Sequence, residues 1–127
     1  MRLWLFLGAL NGFLAVIAGA YGWHALATDS GTRAMFAVAV QYHMWHALAL
    51  IATAWAADRF GPDSGAAAYA RYAGWAFLIG IIFFCGSIYT IALLGYPPVA
   101  GTAPAGGFAF IAGWVLLILT AVKARKP

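Results

Sequence analysis

Residues 73–95, AGWAFLIGIIFFCGSIYTIALLG, decide the fold because they form an uncharged apolar stretch long enough to cross a membrane as a helix. A hydrocarbon core about 30 Å thick is spanned by roughly 20 helical residues. The rest of the chain has the same character, since 65% of its 127 residues are hydrophobic and only 8% are charged. A soluble protein carries about 25% charged residues. The sequence therefore predicts an integral membrane protein.

Three further apolar stretches are separated by polar or proline-rich breaks. The breaks are TDSG at 28–31, DRFGPDSG at 58–65 and YPPVAGTAPAG at 96–106. Arg2 and the site-like Ala18-Gly19-Ala20 resemble a signal peptide, but the apolar stretch before that site is too long for one, so we expect a span. We predict one all-α domain, a compact bundle of four transmembrane helices, with helices at about 3–24, 34–57, 66–95 and 106–122.

The basic residues lie almost entirely on one side of the predicted membrane. With four spans, Arg33 alone falls on the loop side opposite the termini, and six lie on the side of the termini: Arg2, Arg59, Arg71, Lys123, Arg125 and Lys126. Basic residues concentrate on the cytoplasmic side of membrane proteins. We therefore expect a multi-pass protein of the cytoplasmic (inner) membrane with both termini in the cytoplasm. This distribution also accounts for the net charge of +4, so nucleic acid is not an expected partner.

Small residues form a stripe along the first predicted helix. Their spacings of three and four residues place them on one helix face: Gly8, Gly12, Ala15, Gly19 and Gly22. Small side chains let membrane helices approach closely, because packing drives their association in lipid. We expect the stripe to pack the first helix within its own bundle, and a subunit interface is the alternative.

Few side chains in the spans are suited to chemistry. The candidates are polar or aromatic: His46, His43, Gln41, Tyr42, His24, Asn11, Ser87 and Tyr89. No Asp, Glu, Lys or Arg lies in the predicted hydrocarbon core, so histidine is the only side chain there that titrates near neutral pH. Two interpretations stay open for the histidines, a neutral ring that fixes packing through a hydrogen bond and a functional group.

Neither a metal site nor a catalytic centre is expected. His24 is predicted at the membrane surface and His46 about 18 Å below it, so one ion cannot join them. His43 and His46 share a helix face, but zinc takes about four ligands and no third is evident at that depth. Ser87 has no carboxylate in the membrane to orient a histidine beside it. We expect no cofactor, haem included, and no enzymatic activity.

Four motifs follow one another along the chain. They are GAYGWHAL (19–26), QYHMWHALAL (41–50), GSIYTIALLG (86–95) and APAGGFAFIAGW (103–114). In this order they resemble the YgdD-like family of small bacterial inner-membrane proteins, which has small transmembrane relatives in animals. The resemblance covers nearly the whole chain. Because the family is a domain of unknown function, it implies topology and location but no activity.

The family pattern falls on particular residues of this chain. These are His24, Tyr42, His46, Gly86, Ser87, Tyr89, Pro104, Gly106, Gly107 and Trp114. His43 stands where relatives often carry glutamine, which weakens any mechanism that uses two histidines. Ala103 stands where the resemblance implies a threonine, so a hydroxyl cap at that position is missing.

We expect a structural or accessory role, exerted through packing against lipid, a second copy of the chain or another membrane protein. One alternative is a small oligomeric transporter or channel in which His46, Gln41 and Asn11 line a hydrated path. The other is a binding site for lipid or quinone on the His46 face of the second helix, formed with Tyr42 and Trp45. That alternative requires an apolar cleft that opens to the bilayer.

Overall fold

The computed structural model describes residues 2–124, which form four long helices and, within that range, no β-strand. The helices are α1 (Arg2–His24), α2 (Ser30–Arg59), α3 (Gly65–Leu94) and α4 (Thr102–Ala124). Each is long and apolar enough to cross a membrane. The predicted all-α membrane fold is therefore confirmed. Arg125 and Lys126, on which the predicted orientation partly rests, lie outside the described residues.

α1 packs along α2 through its small-residue stripe. A β-carbon added at Gly8 would lie 2.7 Å from the side chain of Ile51, and one added at Gly22 would lie 2.7 Å from the ring of Phe36. Two further members of the stripe also face into the protein, Ala15 and Gly19. The absent side chains let the two helix backbones come close together.

Gly12 departs from the predicted stripe. A β-carbon added there would meet nothing within 4 Å, so this glycine makes no close helix contact. At about 100° per residue, Gly12 lies roughly 40° from Gly8 and at the edge of the stripe. Its neighbour Asn11 turns inward instead and is buried.

Asp29 starts α2 as its N-cap residue. Its carboxylate accepts hydrogen bonds from the Thr32 backbone N–H at 2.8 Å and from the Thr32 hydroxyl at 2.6 Å. These bonds lower the pKa of the Asp29 carboxyl. Because the cap satisfies an amide of the first turn, α2 begins at Ser30, four residues before the predicted position 34.

Replacing Asp29 with alanine is expected to fray the first turn of α2, seen as faster hydrogen exchange of the Thr32 amide. Asp29→Asn keeps an acceptor oxygen and should keep most of the protection. The lowered pKa of Asp29 sets the sign of the pH dependence. The contribution of the cap is complete above the unfolded carboxyl pKa of about 3.9 and is lost as the pH falls through the lowered folded value. Unchanged exchange in Asp29→Ala would contradict the cap.

α3 and α4 each contain an irregular feature. In α3 one π-helical turn, Ile81–Cys85, separates two α-helical segments. α4 begins at Thr102 and so includes Pro104, whereas the sequence predicts a start at 106. Proline is tolerated there because the N–H groups of a first helical turn have no acceptor within the helix. The prolines of 96–106 therefore do not all belong to the loop.

Aromatic rings packed on glycines hold α3 and α4 together. The ring of Phe110 on α4 covers Gly80 on α3, and the ring of Phe77 on α3 lies against Gly113 on α4. Both rings are buried, and they belong to the hydrophobic core of the chain. This pairing places Phe110 beside α2, where the candidate site lies.

Candidate functional site

His43 links three helices through hydrogen bonds. Its Nε2 lies 3.0 Å from Asn11 Oδ1 on α1, and its Nδ1 lies 2.9 Å from the Tyr89 hydroxyl on α3. The amide oxygen of Asn11 only accepts, so Nε2 carries the proton and donates it. The Asn11 amide nitrogen in turn donates to the Leu7 carbonyl at 2.8 Å. In the neutral ring, Nδ1 accepts from Tyr89, which completes a chain of hydrogen bonds from α3 to α1.

His46 faces α4 instead. Its Nδ1 lies 2.6 Å from the Tyr42 carbonyl, and the indole N–H of Trp114 donates to its Nε2 at 3.1 Å. An indole N–H only donates, so Nε2 carries no proton and the ring is neutral. The carbonyl of Tyr42 only accepts, so the proton lies on Nδ1. The two histidines are therefore opposite tautomers, and each tautomer is fixed by its partners.

The structure does not bring the three histidines together. His43 bonds to α1 and α3, His46 bonds to α4, and His24 is exposed at the end of α1. Between residues 2 and 124, no group of three or more side chains of His, Cys, Asp or Glu is placed to hold a metal ion.

The remaining candidates lie in separate places. Ser87 is buried and hydrogen-bonds to the Phe83 carbonyl, and its hydroxyl lies 2.6 Å from that of Thr102 at the start of α4. Thr102 stands one residue before Ala103, and its hydroxyl donates to the Val99 carbonyl at 2.9 Å. Gln41 lies on the outer surface of α2.

An apolar groove of about 860 Å³ opens to the surface between α2 and α4. We call it the α2–α4 groove. Its floor is formed by the rings of His46 and Phe110, whose centroids lie 3.6 Å apart at an interplanar angle of 13°. Trp45 and Trp114 are each about half exposed beside it, 52% and 46%. The other lining residues are Tyr42, Leu48, Phe84, Pro104, Gly107, Phe108 and Ile111.

The α2–α4 groove extends along one half of the membrane thickness. Its α4 wall runs from Pro104 to Trp114, about 15 Å of helix, and the hydrocarbon core is about 30 Å thick. The groove exists because α2 and α4 both pack on α3 and make few direct contacts with each other. Gly107 lines the groove, and a β-carbon added there would meet nothing within 4 Å.

Sequence reasoning anticipates one wall of this groove and not the other. Tyr42, Trp45 and His46 are predicted on one face of α2, where the structure has them lining the groove. Phe108 and Phe110 on α4 are missed, because the periodicity of one helix does not say which helix faces it. The signal that points to α4 is the family motif at 103–114, which contains Gly107 and Trp114.

Comparisons with known proteins identify the family. Residues 18–107 match the family described as "Protein of unknown function (DUF423)". The UPF0382 membrane protein YwdK of Bacillus subtilis is 37% identical over 125 residues, which cover 97% of this chain and 98% of the relative. The UPF0382 membrane protein SH2409 of Staphylococcus haemolyticus is 36% identical over 126 residues, 97% of this chain and 98% of the relative.

A more distant relative is named as an inner membrane protein. The UPF0382 inner membrane protein YgdD of Escherichia coli K12 is 29% identical over 133 residues, 98% of this chain and 93% of the relative. No solved structure matches the chain. With four helices long and apolar enough to span a bilayer, the chain is a membrane protein of uncharacterised function, and it belongs to the DUF423 family of UPF0382 membrane proteins.

Proposed function

We propose that the protein is a non-enzymatic accessory protein of the inner membrane that holds one hydrocarbon chain of a membrane lipid in the α2–α4 groove. One observation carries this proposal. A groove of about 860 Å³, lined by aromatic and aliphatic side chains, opens beside the histidine face of α2. Its volume lies within the roughly 300–1,000 Å³ typical of small-molecule sites, and its length matches one leaflet.

Shape is what would select the ligand. Within a bilayer the hydrophobic effect gives no preference for protein over lipid, so binding depends on close packing. The rings of Phe84, Phe108 and Trp114 offer many simultaneous contacts to a flexible chain, and each contact contributes a small dispersion attraction. A lipid chain in the α2–α4 groove would therefore dissociate more slowly than the lipids around the rest of the protein.

The hydrogen bonding of His46 favours a hydrocarbon chain over a polar head group as the ligand of the groove. Both ring nitrogens are already bonded within the protein, one to the Tyr42 carbonyl and one to Trp114. The floor of the groove therefore presents ring faces and no free donor from the histidine. A quinone ring, whose carbonyls accept hydrogen bonds, would therefore gain no hydrogen bond from His46.

The alternative of a transporter or channel has less support. Asn11 and His46 are buried, and the polar atoms of both side chains are hydrogen-bonded. Gln41 lies on the surface of α2. The three residues thus line no common path within a single chain.

The charge distribution supports an orientation for the site. Of the five basic residues within 2–124, Arg33 alone lies at the end of the helices where α4 begins, and basic residues favour the cytoplasmic side. We therefore propose that both termini are cytoplasmic and that the groove, which starts in the first turn of α4, lies in the outer leaflet. The name of the relative YgdD supports the inner membrane as the location.

Gly107→Phe tests the site by filling it. Because a β-carbon at Gly107 meets no neighbour, the phenyl ring should enter the groove without disturbing helix packing. We expect native mass spectrometry of the wild-type protein in mild detergent to show one retained lipid. The lipid-bound species should fall several-fold in the variant.

The matched control is Gly12→Phe. This substitution adds the same ring at another glycine of a membrane helix where a β-carbon has open space. Lipid retention should equal that of the wild type. If the two variants retained equal amounts of lipid, the proposed site would be wrong. If the wild-type protein retained a quinone instead of a phospholipid, the ligand would belong to a different class.

A further inference from the structure

Gln41 is a polar side chain exposed on a lipid-facing helix surface. α2 is about 45 Å long against a hydrocarbon core of about 30 Å. Gln41 lies about 17 Å from the Ser30 end of the helix, which puts it about 10 Å inside the core. At this depth the side chains of α2 that form hydrogen bonds are His43 and His46. Within residues 2–124 the Gln41 amide has no hydrogen-bond partner.

An amide in hydrocarbon needs a partner, because lipid tails offer no hydrogen bond. A primary amide has both a donor and an acceptor, so two such groups related by a twofold axis satisfy each other. The residues above Gln41 on the same face are Ala34 and Ala37, both exposed. They would let a second helix approach closely at this level.

We propose that the outer half of α2, centred on Gln41, is the contact surface for a second copy of this chain. Ala34, Ala37 and Gln41 line one wall of a hollow of about 400 Å³ between α1 and α2, which gives the second copy room for side chains. Arg33 lines the hollow but projects about 80° away from Gln41 around the helix. The two arginines of a pair therefore need not face each other across the axis. The contact lies on a different face of α2 from the floor of the α2–α4 groove.

Cysteine cross-linking in membranes tests the contact. Ala37→Cys lies on the proposed surface, about 10 Å from the end of α2. The matched control Ile17→Cys is also exposed, lies about 10 Å from the same end of α1, and projects about 120° away from Trp23, the α1 side chain at the rim of the hollow. Oxidation should give a disulfide-linked dimer with Ala37→Cys and none with Ile17→Cys. Both variants are made with Cys85→Ser so that no native thiol takes part.

A second experiment replaces Gln41 in the protein that already carries Ala37→Cys. Gln41→Leu should lower the association constant roughly tenfold, the effect of losing two interhelical hydrogen bonds of typical strength. Gln41→Asn keeps an amide and should keep most of the dimer. Since Gln41 is exposed, the leucine variant should fold normally, which circular dichroism checks. Equal cross-linking at positions 37 and 17, or a dimer unaffected by Gln41→Leu, would overturn the proposal. Loss of the dimer on delipidation alone would also overturn it, because it would assign the surface to lipid.

Discussion

Gly106→Ala is expected to destabilise the protein by roughly 1–3 kcal/mol, the usual cost of forcing extra volume into a packed core. A β-carbon at Gly106 would meet the backbone of the π-helical turn at Phe83 and Phe84. A flexible side chain can move out of the way, but the backbone of a neighbouring helix cannot do so without shifting the whole α3–α4 contact. The loss is measured as the change in free energy of unfolding in detergent or bicelles.

Gly107→Ala is the matched control, because it makes the same change one residue further along α4. There a β-carbon has open space, and alanine is favoured over glycine in a helix by about 1 kcal/mol. We expect this variant to be as stable as the wild type or more stable. If the two variants had the same stability, the close contact of Gly106 with α3 would be wrong.

His43→Leu is expected to cost roughly 2–4 kcal/mol of stability. The substitution leaves the Tyr89 hydroxyl and the Asn11 amide oxygen without the partner that His43 provides. A buried polar group left unsatisfied costs about 1–3 kcal/mol; Asn11 is buried, whereas Tyr89 is only partly buried and is expected to contribute the smaller share. The readout is again the free energy of unfolding, measured under the same conditions for all variants.

A double-mutant cycle separates the hydrogen bond from simple loss of volume. Once His43 is leucine, Asn11→Leu removes an amide that is already without that partner, so its cost should be smaller than in the wild type. His43→Gln retains a side chain that donates and should be milder than His43→Leu. Additive effects of the two leucine substitutions would contradict the bond between Asn11 and His43.

The helices could be predicted because span length and composition are local properties. The stretch 73–95 is uncharged and long enough to cross a membrane, whatever surrounds it. The start of α2 is predicted four residues late, at 34, although Asp29 is of a residue type favoured at the N-cap. The start of α4 is harder to predict, because the prolines of 96–106 are compatible with a loop and with a first helical turn.

The site could be predicted only in part because it is made between helices. The sequence places His43 and His46 three residues apart on one helix, but it does not say that one meets α1 and α3 and the other meets α4. The stacking of Phe110 on His46 depends on how α3 holds α4. Large apolar side chains also cover the outer faces of these helices, so polar and small residues mark the buried face, and the neighbour of each helix stays unspecified.

The most direct test of lipid binding in the α2–α4 groove is photo-cross-linking in membranes with a phospholipid that carries a diazirine on one acyl chain. We expect the label on groove residues such as Trp45, Phe108 and Trp114, and we expect it to be lost from them in Gly107→Phe. Label spread evenly over the lipid-facing surfaces of all four helices, with no change in Gly107→Phe, would contradict the proposed site.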